Sequence, residues 1–236
     1  MFISIIIPTL REAENLQKLI PEVSFAMDSI LKRKEYEIII VDDNSQDGTE
    51  EIISKLSKTF PVRLILRKNE KGLSSAVLRG FSEAKGLCFI VMDADLSHPP
   101  SLLTDIVKGL KENNDIVLPS RYIKGGGVEK WPLFRRLISI LATIPARLLV
   151  NVSDPMSGFF AIKRHVIENS SLTPIGYKIL LEILVKGKYD KNKVLEIPYI
   201  FRNRHLGASK LDSKVSKEYI KHLLNLFLYK LKIKGR

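Results

Sequence analysis

Five short runs of almost continuous apolar residues divide the first 120 positions at regular intervals: Phe2–Ile7, Tyr36–Val41, Val62–Leu66, Leu87–Met92 and Asp115–Leu118. Runs that rich in Ile and Val, with no polar alternation, read as strands covered on both faces. Between them lie segments with helical spacing, Glu14–Ile30, Asp47–Thr59, Leu73–Lys85 and Pro99–Glu112, the last opening on prolines suited to a helix start. Strand and helix in strict alternation predict a parallel sheet with helices on both sides. The fold class expected is therefore α/β, Rossmann-like and doubly wound.

Beyond residue 120 the pattern loosens. Gly125–Gly127 reads as a loop, Trp131–Val150 as an amphipathic helix bent or ended near Pro145, and Ile175–Lys186 as a further helix. Phe159–Ile162 and Val194–Pro198 read as strands, and Lys214–Lys232 as a closing amphipathic helix. There is no repeat or low-complexity tract. The organisation expected is one catalytic domain over 1–200, with a nucleotide-binding half at 1–120 and an acceptor half at 121–200. A basic flexible loop and helix follow over 201–236.

Several function classes are disfavoured. The single Cys88 rules out an intramolecular disulfide and sits in an apolar run as a core residue. The four His lack zinc spacing. No stretch approaches the roughly 20 apolar residues of a membrane span, and the first run is too short for a signal segment. The net charge is +12, of which +8 falls between Phe201 and Arg236, where ten Lys or Arg face only Asp212 and Glu218. Such asymmetry calls for an anionic partner, whether membrane, nucleotide or nucleic acid. A nucleic-acid binder is the remote alternative, because no RNP, KH or zinc motif accompanies the charge.

The chemistry collects at strand ends. In an open α/β sheet, ligands bind beyond the carboxyl ends of the strands. The first run leads into Pro8-Thr9, the second into Asp42-Asp43-Asn44-Ser45, and the fourth into Asp93-Ala94-Asp95. Single carboxylates there serve equally well as caps or turn residues. Four at one edge repel one another unless cations or donors neutralise them. The alternating pair Asp93 and Asp95 offers hard oxygen ligands suited to Mg²⁺ or Mn²⁺ on a diphosphate.

Taken in order, Pro8-Thr9, Asp42–Thr49, Lys71-Gly72-Leu73 and Asp93–Pro100 resemble the inverting family-two glycosyltransferases of GT-A fold. Ser120-Arg121-Tyr122, Gly125–Val128, Trp131, Arg135–Ser139, Asp154–Phe159 and Gly207–Lys210 are similar to the dolichyl-phosphate mannose synthases within that group. The resemblance implies transfer of a sugar, mannose from GDP-mannose, to a dolichyl or polyprenyl phosphate, with UDP-glucose or another nucleotide sugar as the alternative donor. It implies that Pro8, Leu10, Glu12, Val41 and Asp43 hold the nucleoside. Asp93, Ala94 and Asp95 would meet the metal and sugar diphosphate, with Ser97 as a further metal ligand acting through water. Arg121, Arg204 and Lys210 would address phosphates, and Arg121, Arg135 and Ser139 the acceptor phosphate. The implied catalytic set is Asp93, Asp95, Arg121 and Arg204. Arg135 and Ser139 also share a helix face by their spacing of four, and an Arg fork beside a hydroxyl suits a phosphate.

Two departures stand out. The family's Pro-Thr-Tyr-Asn-Glu start reads Pro8-Thr9-Leu10-Arg11-Glu12, which removes an aromatic beside the base, and Ser97 stands where relatives often carry Gln. His98 reads as a turn residue and Asp154 as a positioning carboxylate. A nucleotidyltransferase would carry glycine in the loop after the first strand, and Pro8–Glu12 has none. The location expected is the cytoplasmic face of a membrane, held peripherally by the basic helix Lys214–Lys232. A small membrane-protein subunit is an optional further partner. Phe201–Lys214 is expected to fold as a lid over the donor diphosphate.

Overall fold

The structure, a computed structural model, describes residues 1–129, 131–201 and 213–234. Chain order gives β1 (Ile3–Thr9), α1 (Ala13–Asp28), β2 (Tyr36–Asp42), α2 (Thr49–Leu56), β3 (Val62–Leu66), α3 (Leu73–Glu83), β4 (Cys88–Val91), α4 (Leu103–Lys111) and β5 (Ile116–Ser120). Then follow β6 (Gly127–Val128), α5 (Leu133–Leu149), β7 (Phe160–Lys163), α6 (His165–Glu168), α7 (Ile179–Lys186), β8 (Val194–Pro198), β9 (Ile200–Phe201) and α8 (Ser213–Lys234).

Seven strands form one sheet in the order β3-β2-β1-β4-β7-β5-β8. All neighbours pair in parallel except β7, which runs antiparallel to both β4 and β5. The inserted β7 turns the turn of residues 154–158, which precedes it, toward the carboxyl end of β4. The sheet divides the core in two. Along β1, Ile3, Ile5 and Ile7 pack on the α1–α4 side, and Ile6 packs on the opposite side with α3 residues Ala76 and Val77. Continuous apolar strands are required because both faces are dry. On the second side Gly80 of α3 meets β1 so closely that a Cβ would stand 2.4 Å from Ile6 Cγ2, so the helix can lie there only without one.

Several details depart from the periodicity. The segment at Pro99 opens as a 3-10 turn, Pro100–Leu102, before α4. Pro145 does not end α5, which continues to Leu149. The carbonyl that proline cannot pair belongs to Leu141, a residue 55% exposed, where water can serve it. Gly127–Val128 is a strand and not only a loop, pairing with Ile200–Phe201 in a two-stranded ribbon. The helix expected from Ile175 begins at Ile179, since Pro174 precedes a left-handed Gly176 (φ 71°).

Of the apolar stripe expected on the closing helix, Tyr219, Leu223 and Leu226 turn inward, while Phe227 stays exposed. Leu223 and Leu226 are buried in the second core, and Tyr219 donates from its hydroxyl to the Ala142 carbonyl of α5 at 2.5 Å. A second apolar surface faces outward instead, carrying Ile220, Leu224, Leu228, Leu231 and Ile233. Beside it α5 exposes Leu133, Phe134, Leu137, Leu141 and Leu148. None of the described helices is long and apolar enough to cross a membrane.

Candidate active site

The carboxyl ends of β1, β2, β3 and β4 meet along one edge, and their loops are tied together before any ligand arrives. Pro8 and Val41 stand side by side in register at the ends of β1 and β2. Both are buried, and the Val41 side chain belongs to the second core. Asp43 N–H donates to the Thr9 carbonyl at 3.2 Å. Arg11 N–H donates to Ser45 Oγ at 2.7 Å, and Ser45 N–H donates to Asp42 Oδ2 at 2.8 Å. Four non-glycine residues at this edge, Arg11, Asn44, Gln46 and Leu96, hold left-handed backbone with φ between 54° and 61°. Such conformations cost energy and persist where surrounding contacts enforce them, often at functional sites.

Asp42, Asp43, Asp47 and Asp95 are each held by a named donor, and this offsets the repulsion that a cluster of carboxylates would otherwise suffer. Asp43 is almost buried, and Arg67, itself buried, grips its Oδ1 through Nε at 2.7 Å and Nη2 at 2.5 Å. Gly72 N–H donates to the other oxygen at 2.7 Å. Arg67 spends its remaining donors on Glu70, Ser75 and the Gly72 carbonyl. Asp47 accepts from Ala13 N–H and from Thr49. Its carboxyl lies below the usual range: burial opposes that shift, but the Thr49 hydroxyl and the backbone donors outweigh it. Sequence reading passed over Arg67. The available signal was an Arg placed directly after a buried strand at this same edge.

Leu10 is exposed, and Glu12 stands at the start of α1, where its carboxylate accepts from Asn15 Nδ2 at 2.6 Å. Glu12 lines a hollow of about 470 Å³ with Arg11, Asn15, Ser45, Gln46 and Asp47.

Asp93 and Asp95 follow β4. Asp95 is buried, and its Oδ1 accepts from Ser97 N–H at 3.1 Å and from Ser97 Oγ at 2.5 Å. Ser97 thus buttresses the carboxylate. His98, also buried, accepts the Asp93 N–H on Nδ1 at 3.0 Å and stacks on Phe159 with ring centroids 5.0 Å apart. This makes it the anchor of the turn that presents Asp93. Gly158 passes so near that a Cβ would lie 3.2 Å from Asp93 Oδ2. No group of three His, Cys, Asp or Glu is assembled for a metal among the described residues. Two carboxylates are nevertheless what a Mg²⁺-like ion needs when it keeps waters and shares substrate phosphates.

Arg121 follows β5 and reaches Asp154, which is wholly buried. Its Nε donates to Oδ2 at 2.7 Å, Nη2 to Oδ1 at 2.8 Å, and its backbone N–H to Oδ2 at 3.1 Å. Burial works against the guanidinium charge, but this forked pair with Asp154 raises its pKa further. The positioning role expected of Asp154 is thus given a partner. Tyr122 beside it shares a hydrogen bond of 2.7 Å with Ser139 Oγ on α5. Ser139 and Arg121 are therefore brought to one region. Arg135 stands one turn earlier on α5, but its side chain, together with Arg204, Lys210 and the expected lid, lies outside the described residues. Lys178, which no motif singled out, donates to the Met156 carbonyl at 3.3 Å, and burial first and Arg121 second push its pKa down to about 8.

The model of the family "Glycosyl transferase family 2" matches residues 4–170. The chain is 48% identical over 230 residues to the dolichol-phosphate mannosyltransferase of Pyrococcus furiosus, covering 96% of this chain and 64% of that protein. It is 44% identical to the enzyme of that name from Mycosarcoma maydis and 41% identical to that of Saccharomyces cerevisiae, covering 96% of this chain each time and 79% and 87% of theirs. Among solved structures it resembles glucosyl-3-phosphoglycerate synthase of Mycobacterium tuberculosis, crystallised with Mn²⁺, UDP and glucosyl-3-phosphoglycerate. The TM-score is 0.70 at 19% identity, over 97% of this chain and 79% of that one. That likeness establishes the fold alone. The sequence match runs through the strands that build the carboxylate edge, and the chain belongs to glycosyl transferase family 2 as a glycosyltransferase.

Proposed function

We propose that the chain transfers mannose from GDP-mannose to the phosphate of a dolichyl or related polyprenyl phosphate, with inversion, at a membrane surface. The observation that carries this reading is the Arg121–Asp154 pair. A hydroxyl acceptor needs a general base. Asp154, the carboxylate best placed to be one, is buried and spends both oxygens on Arg121. His98 spends Nδ1 on the Asp93 backbone. A phosphate monoester needs no such base, since it is mostly dianionic near neutral pH, with a second pKa of about 6. Arg121 then lowers the repulsion between two anionic substrates, and Asp154 holds its guanidinium in place.

Asp93 and Asp95 would hold a divalent cation, with Ser97 fixing the orientation of Asp95. When bound, the cation would neutralise charge on the departing diphosphate. Asp43, held by Arg67 and Gly72, presents a fixed acceptor at the nucleoside end. Pro8, Leu10, Glu12 and Val41 border that end, and Arg204 and Lys210 would complete the phosphate contacts. Ser139, with Arg135 one turn away, would receive the lipid phosphate. The outward apolar faces of α5 and α8 support peripheral attachment, with the basic residues of 201–236 meeting anionic headgroups.

The test is a donor screen. Radiolabelled GDP-mannose, UDP-glucose and UDP-N-acetylglucosamine are each offered with a short polyprenyl phosphate. Mannosyl lipid formed only from GDP-mannose, and lost in excess EDTA, is the expected result. Glucosyl lipid from UDP-glucose would replace the donor assignment. Transfer to a sugar hydroxyl would overturn the acceptor assignment.

A further inference from the structure

Lys178 lies outside every motif discussed above, yet the fold delivers it to the transfer centre. Left-handed Gly176 delays the start of α7 and leaves Lys178 at its first turn. From there Nζ reaches the Asp154–Gly158 turn and donates to the Met156 carbonyl at 3.3 Å. The same turn carries Asp154, bound to Arg121, and Gly158, pressed against Asp93. Lys178 accordingly interacts electrostatically with Arg121, Asp154 and Asp93.

No described carboxylate lies within ion-pair distance of this ammonium. Asp154 is already committed through both oxygens to Arg121. An ammonium has three donors, and one long bond to a carbonyl occupies only one of them. Burial and the Arg121 charge work against this ammonium, and Asp154 and Asp93 offset them only in part, so an arriving anion would be favoured there. Such an anion must be small, must accept several hydrogen bonds and must meet an ammonium together with the guanidinium donors that Asp154 leaves over, which describes a phosphate group.

We propose that Lys178 is a phosphate-binding residue and forms, with Arg121, a two-cation cradle for the phosphate next to the transferred sugar. The assignment rests on the functional reading above. The phosphate has two sources, the donor diphosphate or the lipid acceptor, and the test separates them.

Lys178→Met and Lys178→Arg are compared with the parent by titration calorimetry. The probes are GDP or UDP with Mn²⁺, and separately farnesyl phosphate without nucleotide. Loss of a charged hydrogen bond predicts that Lys178→Met binds one probe roughly tenfold to a hundredfold more weakly. Lys178→Arg should recover part of that loss, and the melting temperature without ligand should not fall. A loss confined to nucleotide assigns the donor diphosphate; a loss confined to farnesyl phosphate assigns the acceptor. Parental affinity of Lys178→Met for both probes overturns the proposal. So does an equal drop in melting temperature in both variants, which would make the Met156 contact purely structural. If the binding loss appears but no nucleotide sugar yields a glycosyl lipid, the functional reading falls and Lys178 stays a phosphate ligand.

Discussion

The two sides of the candidate site are built on opposite plans. On the side proposed to meet the donor, at the ends of β1 to β4, polar groups are locked to one another: Asp42 by Ser45, Asp43 by Arg67 and Gly72, Asp95 by Ser97. On the side proposed to meet the acceptor, α5 and α8 hold together through Tyr219 and the buried Leu223 and Leu226, but turn exposed apolar residues outward. Large apolar side chains left exposed on two neighbouring helices point to an interaction surface. A nucleotide is a small rigid ligand, and a preformed polar site binds it without an ordering cost. The proposed lipid acceptor would arrive with its own surface, so the side that meets it can remain apolar and outward until then.

Four experiments test that contrast, from the largest expected effect to the smallest. Asp95→Asn keeps an oxygen to accept from Ser97 but loses the charge. Transfer should fall by roughly a thousandfold with little change in melting temperature; turnover in a radiolabel assay near the parental rate would mean that the carboxylate edge is only structural. Arg67→Met leaves Asp43 buried without its cation, with only the Gly72 N–H to hold it, which should cost about 3–5 kcal/mol in urea unfolding. Arg67→Lys should recover little, because the fork is lost. A near-neutral result would show the donor side to be less tightly built than its hydrogen bonds indicate.

Leu137→Glu combined with Leu224→Glu addresses the other side. Both residues are more than half exposed, so stability should stay within about 0.5 kcal/mol per site. Flotation with anionic vesicles should weaken markedly while nucleotide affinity is unchanged. Equal flotation of variant and parent would remove the membrane role from these helices.

The smallest effect concerns His222, buried where α8 meets α7. Burial lowers its pKa below the ordinary 6.5, with Glu182 opposing that shift, and its Nε2 finds no hydrogen-bond partner among the described residues. Just below pH 6.5 the unfolded chain therefore binds more protons than the folded one. Stability falls as pH falls through that window. His222→Phe should flatten this acid limb in melting curves taken across it. An unchanged slope would assign the acid sensitivity to other groups.

Much of this arrangement was legible in the residues. Ile and Val runs with no polar alternation required a sheet dry on both faces, because no other placement buries both sides of such strands. Asp93-Ala94-Asp95 after one run and Asp42-Asp43 after another then had to share the carboxyl edge. Periodicity alone located helices to within a few residues, since a proline or a left-handed glycine shifts a boundary without altering the apolar pattern around it.

Tertiary structure decided what local sequence has no means to express. The Arg67–Asp43 and Arg121–Asp154 pairs join residues 24 and 33 positions apart, and only the strand order brings them together. The reversal of β7 aims the Asp154–Gly158 turn at Asp93, and the late start of α7 adds Lys178. On α8 Tyr219, Leu223 and Leu226 of the stripe seen in the sequence pack inward, and a second set of apolar residues becomes the outer one. A helix carrying apolar residues on two sides does not specify which side faces the core; the fit of Leu223, Leu226 and His222 against α5 and α7 makes that choice.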